Sequence, residues 1–481
     1  MEERRKKEER KEEEREKALL VGVDTGQEDD FPRSMKELGE LAKACNMTVA
    51  GVVTQKMAAV NKAYYIGAGK VKEVTEYAKA LEADIILFDN SLTPSQLRNL
   101  QKETGKPVLD RTALILDIFS LRAKTREAKL QVETARLQYL MSRLVGMHDA
   151  LTRQGGTSGS MSSRGAGEKK LELDRRKIEH RLSELGRELE EVAKERETQG
   201  KKRQESRIPK VSLVGYTNAG KSTLMNRMLE TYGTCPGGEE KKVLEKDMLF
   251  ATLDTTVRNI SFGNGREILL SDTVGFIHKL PHGLVKAFRS TLEEVKNADL
   301  LLCVVDCSDE NHKQQMKVTE ETLLEIGAAD IPKIIVYNKA DLCRENAEAA
   351  ETDNESRNGR DLGMGSVRLP EVIGADKIYL SAKSGEGMEE LAQMIQNKVF
   401  AGYMRTRFLF PYEKGQAVSW LMEHAAVHAR EYTEQGIAVI ADCHKADVGK
   451  YREYVVGVSK QNGIGSHRLR APSSGTHAAS D

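Results

Sequence analysis

The sequence has no uninterrupted apolar run approaching the roughly 20 residues that a helix needs to cross a bilayer. Its amino terminus, MEERRKKEERKEEEREK, alternates short blocks of both charge signs and lacks the apolar core of a secretory signal. The 6 cysteines are scattered without paired CxxC spacing, which argues against a disulfide framework or a cysteine metal site. We therefore expect a cytoplasmic protein in a reducing compartment.

The chain also lacks net charge, because 74 Lys and Arg residues balance 74 Asp and Glu residues. Binding to RNA or to a membrane surface would therefore need a local basic patch. The length of 481 residues is too great for one ordinary core, and a hydrophobic fraction of 39% is enough to form several.

What the sequence does have, from Ala18 onward, is an alternation of apolar runs with amphipathic stretches. The apolar runs are ALLVGVD, TVAGVVTQ, ADIILFD and KPVLD. This alternation predicts a small parallel β/α domain. GAGK, at residues 67–70, is too short for a phosphate loop and is interpreted as a tight turn.

Residues 121–204 are long charged amphipathic stretches without β-branched runs, which predicts a helical hairpin. Its connection, RQGGTSGSMSSRGAGEKK, is rich in Gly and Ser and is expected to be flexible. Two interpretations of the connection stay open: a solvated linker, or a tip that contacts RNA. The connection carries the cations Arg153, Arg164, Lys169 and Lys170.

VSLVGYTNAGKST combines an apolar strand, a glycine-containing loop and a helix start, and it fits the phosphate-loop pattern from Gly215 to Ser222. The loop amides are expected to surround the β-phosphate of a nucleotide. Lys221 would supply a cation to the β- and γ-phosphates, and the Ser222 hydroxyl would coordinate Mg²⁺.

REILLSDTVG supplies a second strand that ends in Asp272, which is placed to hold Mg²⁺ through its water shell. The Gly275 amide would then face the γ-phosphate. Upstream, LFATLDTT is expected to be a switch loop in which Thr252 closes over Mg²⁺. Thr255 and Thr256 compete for that role.

KIIVYNKAD places Asn338, Lys339 and Asp341 at the end of a third strand, where a carboxylate can accept two hydrogen bonds from guanine. A later strand ends in YLSAKSGEG, whose Ser381–Lys383 can support the base. Each motif is weak alone. Four of them in this order, each at a strand end, predict a GTP-binding domain of the Ras-like type.

Two residues bear on the mechanism. Phe276 follows DTVG at a position where many such switches carry a glutamine that orients the attacking water. Hydrolysis without a partner should therefore be slow, and the attacking water would have to be positioned from elsewhere. The plainer interpretation of Phe276 itself is that it packs within the switch. Asn218 could help to bind K⁺ beside the phosphates, or it could be an ordinary loop asparagine.

Two polar insertions, TCPGGEEKKVLEKD and RENAEAAETDNESRNGRDLGMGS, interrupt the nucleotide domain and are predicted to be disordered. The carboxy-terminal segment is expected to form a small α/β domain. Its predicted elements are strand RFLFPY, helix GQAVSWLMEHAAVHAREY, strand IAVIADC and helix KADVGKYREYVV.

The run DTVGFIHKLPHGLVKAFRSTLEE, together with GYTNAGKS and FATLD, resembles the HflX family of ribosome-associated GTPases. The resemblance extends upstream through YYIGAGKVKEV and GEKKLELDRRKI, so it covers about residues 19–400. This chain departs from the family pattern at GGTSGSMSSRGAGE, which is longer than usual and lacks the proline, and at LDTT in place of LDPTT.

The resemblance implies GTP hydrolysis with Mg²⁺ and binding of GTP, GDP and the large ribosomal subunit with its rRNA, whereas the use of K⁺ is suggested by Asn218 alone. Lys221, Thr252 and Gly275 would be catalytic, and Mg²⁺ would be held by Ser222 and Thr252, with Asp272 acting through water. The implied nucleotide contacts are Gly215, Tyr216, Thr217, Asn218, Ala219, Gly220, Lys221, Ser222, Phe250, Ala251, Thr252, Leu253, Asp254, Asp272, Thr273, Val274, Gly275, Asn338, Lys339, Ala340, Asp341, Ser381, Ala382 and Lys383.

The sequence predicts a multidomain α/β GTPase that is a monomer and does not bind DNA, and the resemblance implies that it binds the large ribosomal subunit and remodels, splits or rescues ribosomes. The alternatives are a GTP-gated docking switch for a protein or peripheral membrane partner, and an assembly factor of the large subunit. The predicted segments are a charged tail (1–17), a β/α domain (18–120), a helical hairpin (121–205), a Ras-like P-loop GTPase domain (206–400), a small α/β domain (401–458) and a flexible tail (459–481).

Overall fold

The computed structural model describes residues 15–26, 30–153, 161–205, 208–233, 249–250, 255–263, 266–279, 294–343 and 376–459. The chain divides into two compact units, of which the first ends at Val399 and the second begins at Phe400, with the short segment Gly263–Arg266 grouped with the second. Among the described helices, none is long and apolar enough to cross a membrane. Residues 1–14 and 460–481 of the predicted tails and both polar insertions lie outside the described residues, whereas Lys17 and Ser459 belong to strands.

The first unit opens with a parallel sheet whose strand order is β2-β1-β3-β4. Strand β1 is internal, and its apolar residues are buried because helices cover both faces of a parallel sheet. The predicted parallel β/α domain is confirmed. Its elements are β1 (Lys17–Asp24), α1 (Phe31–Ala44), β2 (Thr48–Lys56), α2 (Ala68–Ala80), β3 (Ile85–Phe88), α3 (Pro94–Thr104) and β4 (Val108–Asp110).

Local signals set the helix ends in this sheet domain. Thr93 and Gln96 form a reciprocal capping box at the start of α3, and Gly105 ends that helix with a φ of 64°. GAGK is not a separate tight turn as predicted. Gly67 is the N-cap of α2, and its amide donates to the side chain of Gln55, so the motif opens a helix.

The helical hairpin follows α4 (Arg111–Arg122) and consists of α5 (Arg126–Arg153) and α6 (Met161–Glu205). Arg181 joins the two helices through a bidentate ion pair with Glu133, and Leu185 is fully buried. Helix α6 begins inside the Gly- and Ser-rich connection, so the helical part is longer than composition predicted. Propensity is a weak prior, and extending an existing helix adds one hydrogen bond per residue.

The nucleotide domain has a sheet of order β10-β9-β8-β5-β7-β6, parallel except for the edge strand β6. Its elements are β5 (Lys210–Gly215), α7 (Lys221–Tyr232), β6 (Thr256–Ser261), β7 (Glu267–Asp272), β8 (Leu300–Asp306), α8 (His312–Glu325), β9 (Lys333–Asn338), β10 (Lys377–Tyr379) and α9 (Met388–Val399). The Ras-like P-loop architecture that the motif order predicted is confirmed.

The second unit is built on an antiparallel sheet of order β12-β13-β11-β14. Its core includes Phe408, Phe410, Leu421 and Val439. Its elements are β11 (Tyr403–Phe410), a 3-10 turn (Tyr412–Lys414), α10 (Gly415–His424), β12 (Ala426–Thr433), β13 (Gly436–His444), α11 (Lys445–Lys450), a 3-10 turn (Arg452–Tyr454) and β14 (Val455–Ser459).

The predicted single helix over residues 415–432 is wrong in its second half. Helix α10 ends at His424, and residues 426–433 form strand β12, which pairs with β13. The final predicted helix is also shorter, because 455–459 is strand β14. Strand β12 pairs with β13 across a tight hairpin turn, and β14 pairs with the distant β11. This pairing within the sheet overrides the local helical pattern.

Candidate functional site

The predicted nucleotide motifs meet at one edge of the central sheet. Strands β5, β7 and β9 are parallel, and Gly215, Asp272 and Asn338 stand at their carboxyl ends. Ser381 follows the end of β10, which is also parallel. The carboxyl edge of an open parallel sheet is where such folds bind ligands.

The phosphate loop has two positions that accept only glycine. Gly215 has a φ of +146°, and a Cβ there would collide with the carbonyl oxygen of Val304. Gly220 has a φ of +90°, and a Cβ there would collide with the Asn338 amide. The loop is therefore packed against β8 and β9, and its backbone must approach closely.

Lys221 begins helix α7 and is only 6% exposed. Its Nζ donates to the carbonyl oxygens of Tyr216 at 2.7 Å and Gly215 at 3.2 Å. Burial lowers the pKa of Lys221 to about 8, although the nearby Asp272 carboxylate acts in the opposite direction. A polyanionic phosphate beside this amine would raise its pKa again and stabilise its charged form.

Ser222 and Asp272 bring two oxygen donors together, because the Ser222 hydroxyl donates to Asp272 Oδ2 at 2.7 Å. Asp272 is fully buried. A hydroxyl and a carboxylate are hard oxygen ligands of the kind that Mg²⁺ selects, so these residues fit the metal. The third predicted ligand, Thr252, lies with Ala251, Leu253 and Asp254 outside the described residues.

The DTVG segment lies directly against the phosphate loop. A Cβ on Gly275 would meet the backbone of Thr217 at 2.7 Å. The amide of Thr217 donates to the carbonyl of Phe276 at 2.8 Å, and the Phe276 amide donates back to Gly215 at 3.1 Å. Thr273 is held by a 2.6 Å bond from its hydroxyl to the Leu213 carbonyl, and Val274 is buried.

Phe276 is 2% exposed, and it packs in a core cluster with Val214, Val295 and Leu301. Of the two interpretations of this residue, the packing role is therefore the one observed. An apolar ring directed into the core cannot orient a water molecule, so the residue at the position where other switches carry a glutamine serves packing here.

The base-recognition motif is held by Asn338. Its Nδ2 donates to the Ala219 carbonyl at 2.9 Å, and its Oδ1 accepts from the Ala382 amide at 3.0 Å. Asn338 thus ties the phosphate loop to the Ser381–Lys383 segment. Oδ1 of Asp341 is buried and, within the part of the chain that the structure describes, has no hydrogen-bond partner. That acceptor matches the need of a guanine edge.

The sequence did not reveal one support of this segment, the side chain of Arg227 in α7. Its Nε donates to the Ala382 carbonyl at 3.0 Å, and its Nη2 donates to the Lys383 carbonyl. Arg227 lies about one and a half helical turns beyond Lys221 and Ser222, so helical spacing along α7 does not place it on the same side. No pattern in the sequence identifies its partners.

Four family models match consecutive parts of the chain. They are described as GTP-binding GTPase N-terminal (residues 32–120), GTP-binding GTPase Middle Region (122–203), 50S ribosome-binding GTPase (210–339) and HflX C-terminal domain (373–448). The chain is also similar to a protein named GTPase HflX from Caldanaerobacter subterraneus, with 41% identity over 92% of this chain and 94% of the relative. The chain belongs to the HflX family of GTPases.

GTPase HflX of Escherichia coli is 37% identical over 88% of this chain and 92% of its own length. A GTP-binding protein from Sulfolobus solfataricus, solved in complex with GDP, aligns with a TM-score of 0.39 at 24% identity, covering 80% of this chain and 99% of that one. A TM-score this low supports no inference about the present chain. Membership in the HflX family, with its P-loop GTPase domain, makes the chain a GTP hydrolase.

In this HflX-family chain the switch region also contacts the amino-terminal domain. The Tyr216 hydroxyl donates to Glu37 and accepts from the His278 amide at 2.8 Å. Burial and the Glu37 carboxylate raise the pKa of Tyr216, so the phenol stays a donor. Lys279 reaches further, donating to Asp89 at 2.6 Å and to Ser34 at 3.1 Å.

A shared apolar cluster accompanies these polar contacts. Phe250, predicted as a nucleotide contact, is buried with its ring edge-on to Phe119 of α4, at a centroid distance of 4.7 Å. Leu249, Val274 and Ile277 join the same cluster. The segments on either side of the HflX phosphate site therefore form part of the core between the amino-terminal domain and the nucleotide domain.

Proposed function

We propose that this GTPase binds the large ribosomal subunit in its GTP state, remodels, splits or rescues ribosomes, and leaves after hydrolysis. The description of the matched nucleotide domain as a 50S ribosome-binding GTPase supports the partner. The predicted boundaries near residues 121, 206 and 401 would then delimit an amino-terminal domain that docks, a helical hairpin that reaches the contact site and a GTPase domain that switches.

The contact between Lys279 and Asp89 is the observation that carries the proposal. Lys279 follows DTVG by four residues, while Asp89 lies at the end of β3 in the amino-terminal domain. A γ-phosphate that draws in the Gly275 amide would move the segment that bears Lys279. A change in the bound nucleotide would thereby be transmitted as a movement to the amino-terminal domain and to the helical hairpin attached to it.

In the proposed site, Lys221 neutralises charge on the β- and γ-phosphates, and the loop amides from Asn218 to Ser222 cradle the β-phosphate. Ser222 and Thr252 would bind Mg²⁺, with Asp272 holding a metal-bound water. When bound, Mg²⁺ neutralises charge that develops on the transferring phosphoryl group. Gly275 would position the γ-phosphate, and Asp341 would accept two hydrogen bonds from guanine.

Hydrolysis by the isolated protein is proposed to be slow. Phe276 is buried, so the water-orienting group that a glutamine would provide must come from elsewhere. A ribosomal partner could supply it directly or reposition the switch. Asn218, which adopts a φ of 61° in the loop, is proposed to help bind K⁺ beside the phosphates.

The helical hairpin suits a long-range contact. Helix α6 spans 45 residues, which corresponds to a length of about 70 Å. We propose that the tip of the hairpin, which carries the cations Arg153, Arg164, Lys169 and Lys170, contacts rRNA phosphates. Because the chain as a whole carries no net charge, RNA binding at the tip would depend on this local group of cations.

The deciding experiment measures steady-state GTP hydrolysis in K⁺ buffer, with and without purified large subunits, and repeats it in Na⁺ buffer. Strong stimulation by the subunits supports the proposal. No stimulation despite intact GTP binding favours a docking switch for a protein or membrane partner. Selective stimulation by precursor particles over mature subunits favours an assembly factor. A K⁺-specific rate that Asn218→Ala removes supports the monovalent site.

The arm is tested by GTP-dependent sedimentation with large subunits at several salt concentrations. Replacing Arg164, Lys169 and Lys170 together by Ala should weaken binding and flatten its salt dependence. The matched control replaces Arg175 and Arg176 by Ala. Both are exposed cations of the same helix that pair with Glu179 and Glu172, so binding should be nearly unchanged. Equal losses in the two variants would contradict a specific tip contact.

A further inference from the structure

Two cysteines meet behind the base-recognition motif. Cys307 follows the end of β8, and Cys343 lies in the helical turn that begins at Ala340. Their Sγ atoms are 3.0 Å apart, and the residues are 1% and 2% exposed. Both are free thiols that pack in one cluster with Val305, Tyr337 and Ala340.

We propose that Cys307 and Cys343 form a reversible disulfide under oxidation by peroxide, and that this modification weakens guanine-nucleotide binding. The inference goes beyond GTP hydrolysis, and it rests on the proposed role of Asp341 as the guanine acceptor. Intracellular disulfides of this kind are usually transient and serve redox sensing rather than structure.

The pair is linked closely to the residues that would read the base. The Cys307 amide donates to the Asn338 carbonyl at 3.1 Å, and Lys339 pairs with Asp306 at 2.6 Å. Cys343 shares its helical turn with Asp341. A shift of either sulfur is therefore passed to the motif through the cysteine's own backbone, by a hydrogen bond to Asn338 from Cys307 and by two peptide units to Asp341 from Cys343.

Closing the bond requires a defined movement. A disulfide holds its sulfurs about 2 Å apart, so the present separation must shrink by about 1 Å. The turn that carries Asp341 would absorb part of that shift. Hydrogen bonds to a carboxylate tolerate only a few tenths of an ångström around about 2.8 Å, so a displaced Asp341 would hold guanine poorly.

Burial also controls when the reaction occurs. It raises the pKa of both thiols, so few thiolates exist at neutral pH, and the cluster admits little solvent. Oxidation therefore needs a transient opening of the turn at Ala340–Cys343. A guanine nucleotide held by Asp341 would oppose that opening, so bound GDP should protect the pair.

The chemistry balances with peroxide as the only added reactant. One thiol gives up its proton, the thiolate attacks a peroxide oxygen and the O–O bond breaks, and the leaving hydroxide takes up that proton, so that a sulfenic acid and water form. The second thiol then attacks the sulfenic sulfur, so that the S–S bond forms, the S–O bond breaks and a second water leaves. Two thiols lose two electrons, which the peroxide gains, and a dithiol reductant reverses the step.

The two sulfur atoms are less suited to binding a metal ion. In the described ranges, no group of three His, Cys, Asp or Glu side chains converges to hold an ion. Structural zinc sites need four ligands. A close pair of thiols without further ligands suits a two-electron switch better than a metal.

The experiment treats the full-length protein with hydrogen peroxide in the presence or absence of GDP, maps disulfides by mass spectrometry, and measures the affinity for fluorescent GDP. We expect a Cys307–Cys343 link, at least tenfold weaker GDP binding in the linked protein, full recovery with dithiothreitol, and slower linking when GDP is bound. Absence of the link, or a linked protein with unchanged affinity, overturns the proposal.

Three variants complete the test. Cys307→Ala and Cys343→Ala should bind GDP normally when reduced and resist the peroxide effect. Cys303→Ala, which removes another buried thiol from β8, should respond like the parent chain. If Cys307→Ala and Cys343→Ala both lost affinity for GDP after peroxide treatment, the peroxide effect would have to come from another residue. Weak GDP binding by the reduced parent protein would instead refute the proposed guanine site, so the two failures are distinguishable.

Discussion

Lys279 Nζ and Asp89 Oδ2 lie 2.6 Å apart, although 190 residues separate them in the chain. Asp89 is fully buried, and it also accepts from Arg111, which is 2% exposed, and from Ser34. Burial opposes ionisation of this carboxyl, but Arg111 and Lys279 outweigh it and lower its pKa. A charged residue of the switch is thus the partner of a buried carboxylate in another domain.

Asp89→Asn should lower the free energy of unfolding of the first unit by about 3 kcal/mol, because it leaves the Arg111 charge buried with one carboxylate partner fewer. Lys279→Met should cost less, since Lys279 is partly exposed. Urea unfolding of both single variants and the double variant gives the coupling energy, which we expect to exceed about 1 kcal/mol. Strict additivity would mean that the pair is not energetically coupled.

The same carboxylate predicts a pH dependence. Its folded pKa is depressed, so its contribution to stability is fully present above the unfolded pKa of about 4 and is lost as the pH falls from there through the lower folded pKa. The parent chain should therefore lose stability more steeply than Asp89→Asn in acid. Thermal unfolding midpoints between neutral pH and the acid limit, compared for the two proteins, check this. Parallel curves would contradict the assignment.

The four nucleotide motifs could be predicted from sequence because each is a short contiguous segment whose chemistry depends on its own strand end. The contacts of Lys279, Tyr216 and Arg227 could not, since their partners are distant in sequence and of ordinary residue types. The broken helix at residue 424 has a different cause. Strand β12 exists because its neighbour β13 pairs with it in a hairpin, and that pairing outweighs the helical spacing of residues 415–432.

Asp341→Asn should abolish the preference for guanine, because the carboxylate that accepts two hydrogen bonds becomes a group with one acceptor and one donor. GDP affinity should fall about 100-fold, in line with the value of hydrogen bonds to a charged group. Affinity for xanthosine diphosphate should rise, since its C2 oxygen can accept from the new amide. Competition binding measures the guanine preference and the affinities for both diphosphates. Asp330→Asn, which changes an exposed aspartate, is the control. Unchanged selectivity would refute the role of Asp341.

Lys221 predicts proton uptake on nucleotide binding. Burial lowers its pKa to about 8, so much of the amine is neutral at pH 8.5, and the phosphates of GDP should raise the pKa and draw in a proton. Affinity should therefore level off below pH 8 and fall above it. Calorimetric titration at pH 8.5 in two buffers of different ionisation enthalpy measures the uptake. It should vanish at pH 7 and in Lys221→Ala, which should also lose GTP turnover.

Phe276→Gln should not accelerate hydrolysis, because the side chain at this position is directed into the core rather than toward the γ-phosphate. It should instead lower the free energy of unfolding by about 3 kcal/mol, by burying an amide and leaving space. Phe276→Leu, the control, should lose about 1 kcal/mol and keep the parental rate. Single-turnover hydrolysis and urea unfolding test both effects. Faster turnover in the glutamine variant would show that the switch presents this residue to the nucleotide.

Arg227 should control nucleotide retention rather than chemistry. Its guanidinium donates to the carbonyls of Ala382 and Lys383, so Arg227→Ala frees the segment that supports the base. Losing these charged hydrogen bonds should raise the GDP dissociation rate about tenfold while leaving saturated GTP turnover nearly unchanged. Arg227 also pairs with Glu230 at 3.3 Å, so Glu230→Ala separates that ion pair from the carbonyl contacts. Stopped-flow release of fluorescent GDP should show fast dissociation for Arg227→Ala alone. Equal acceleration in both variants would assign the effect to the ion pair, because only the arginine variant loses the bonds to Ala382 and Lys383.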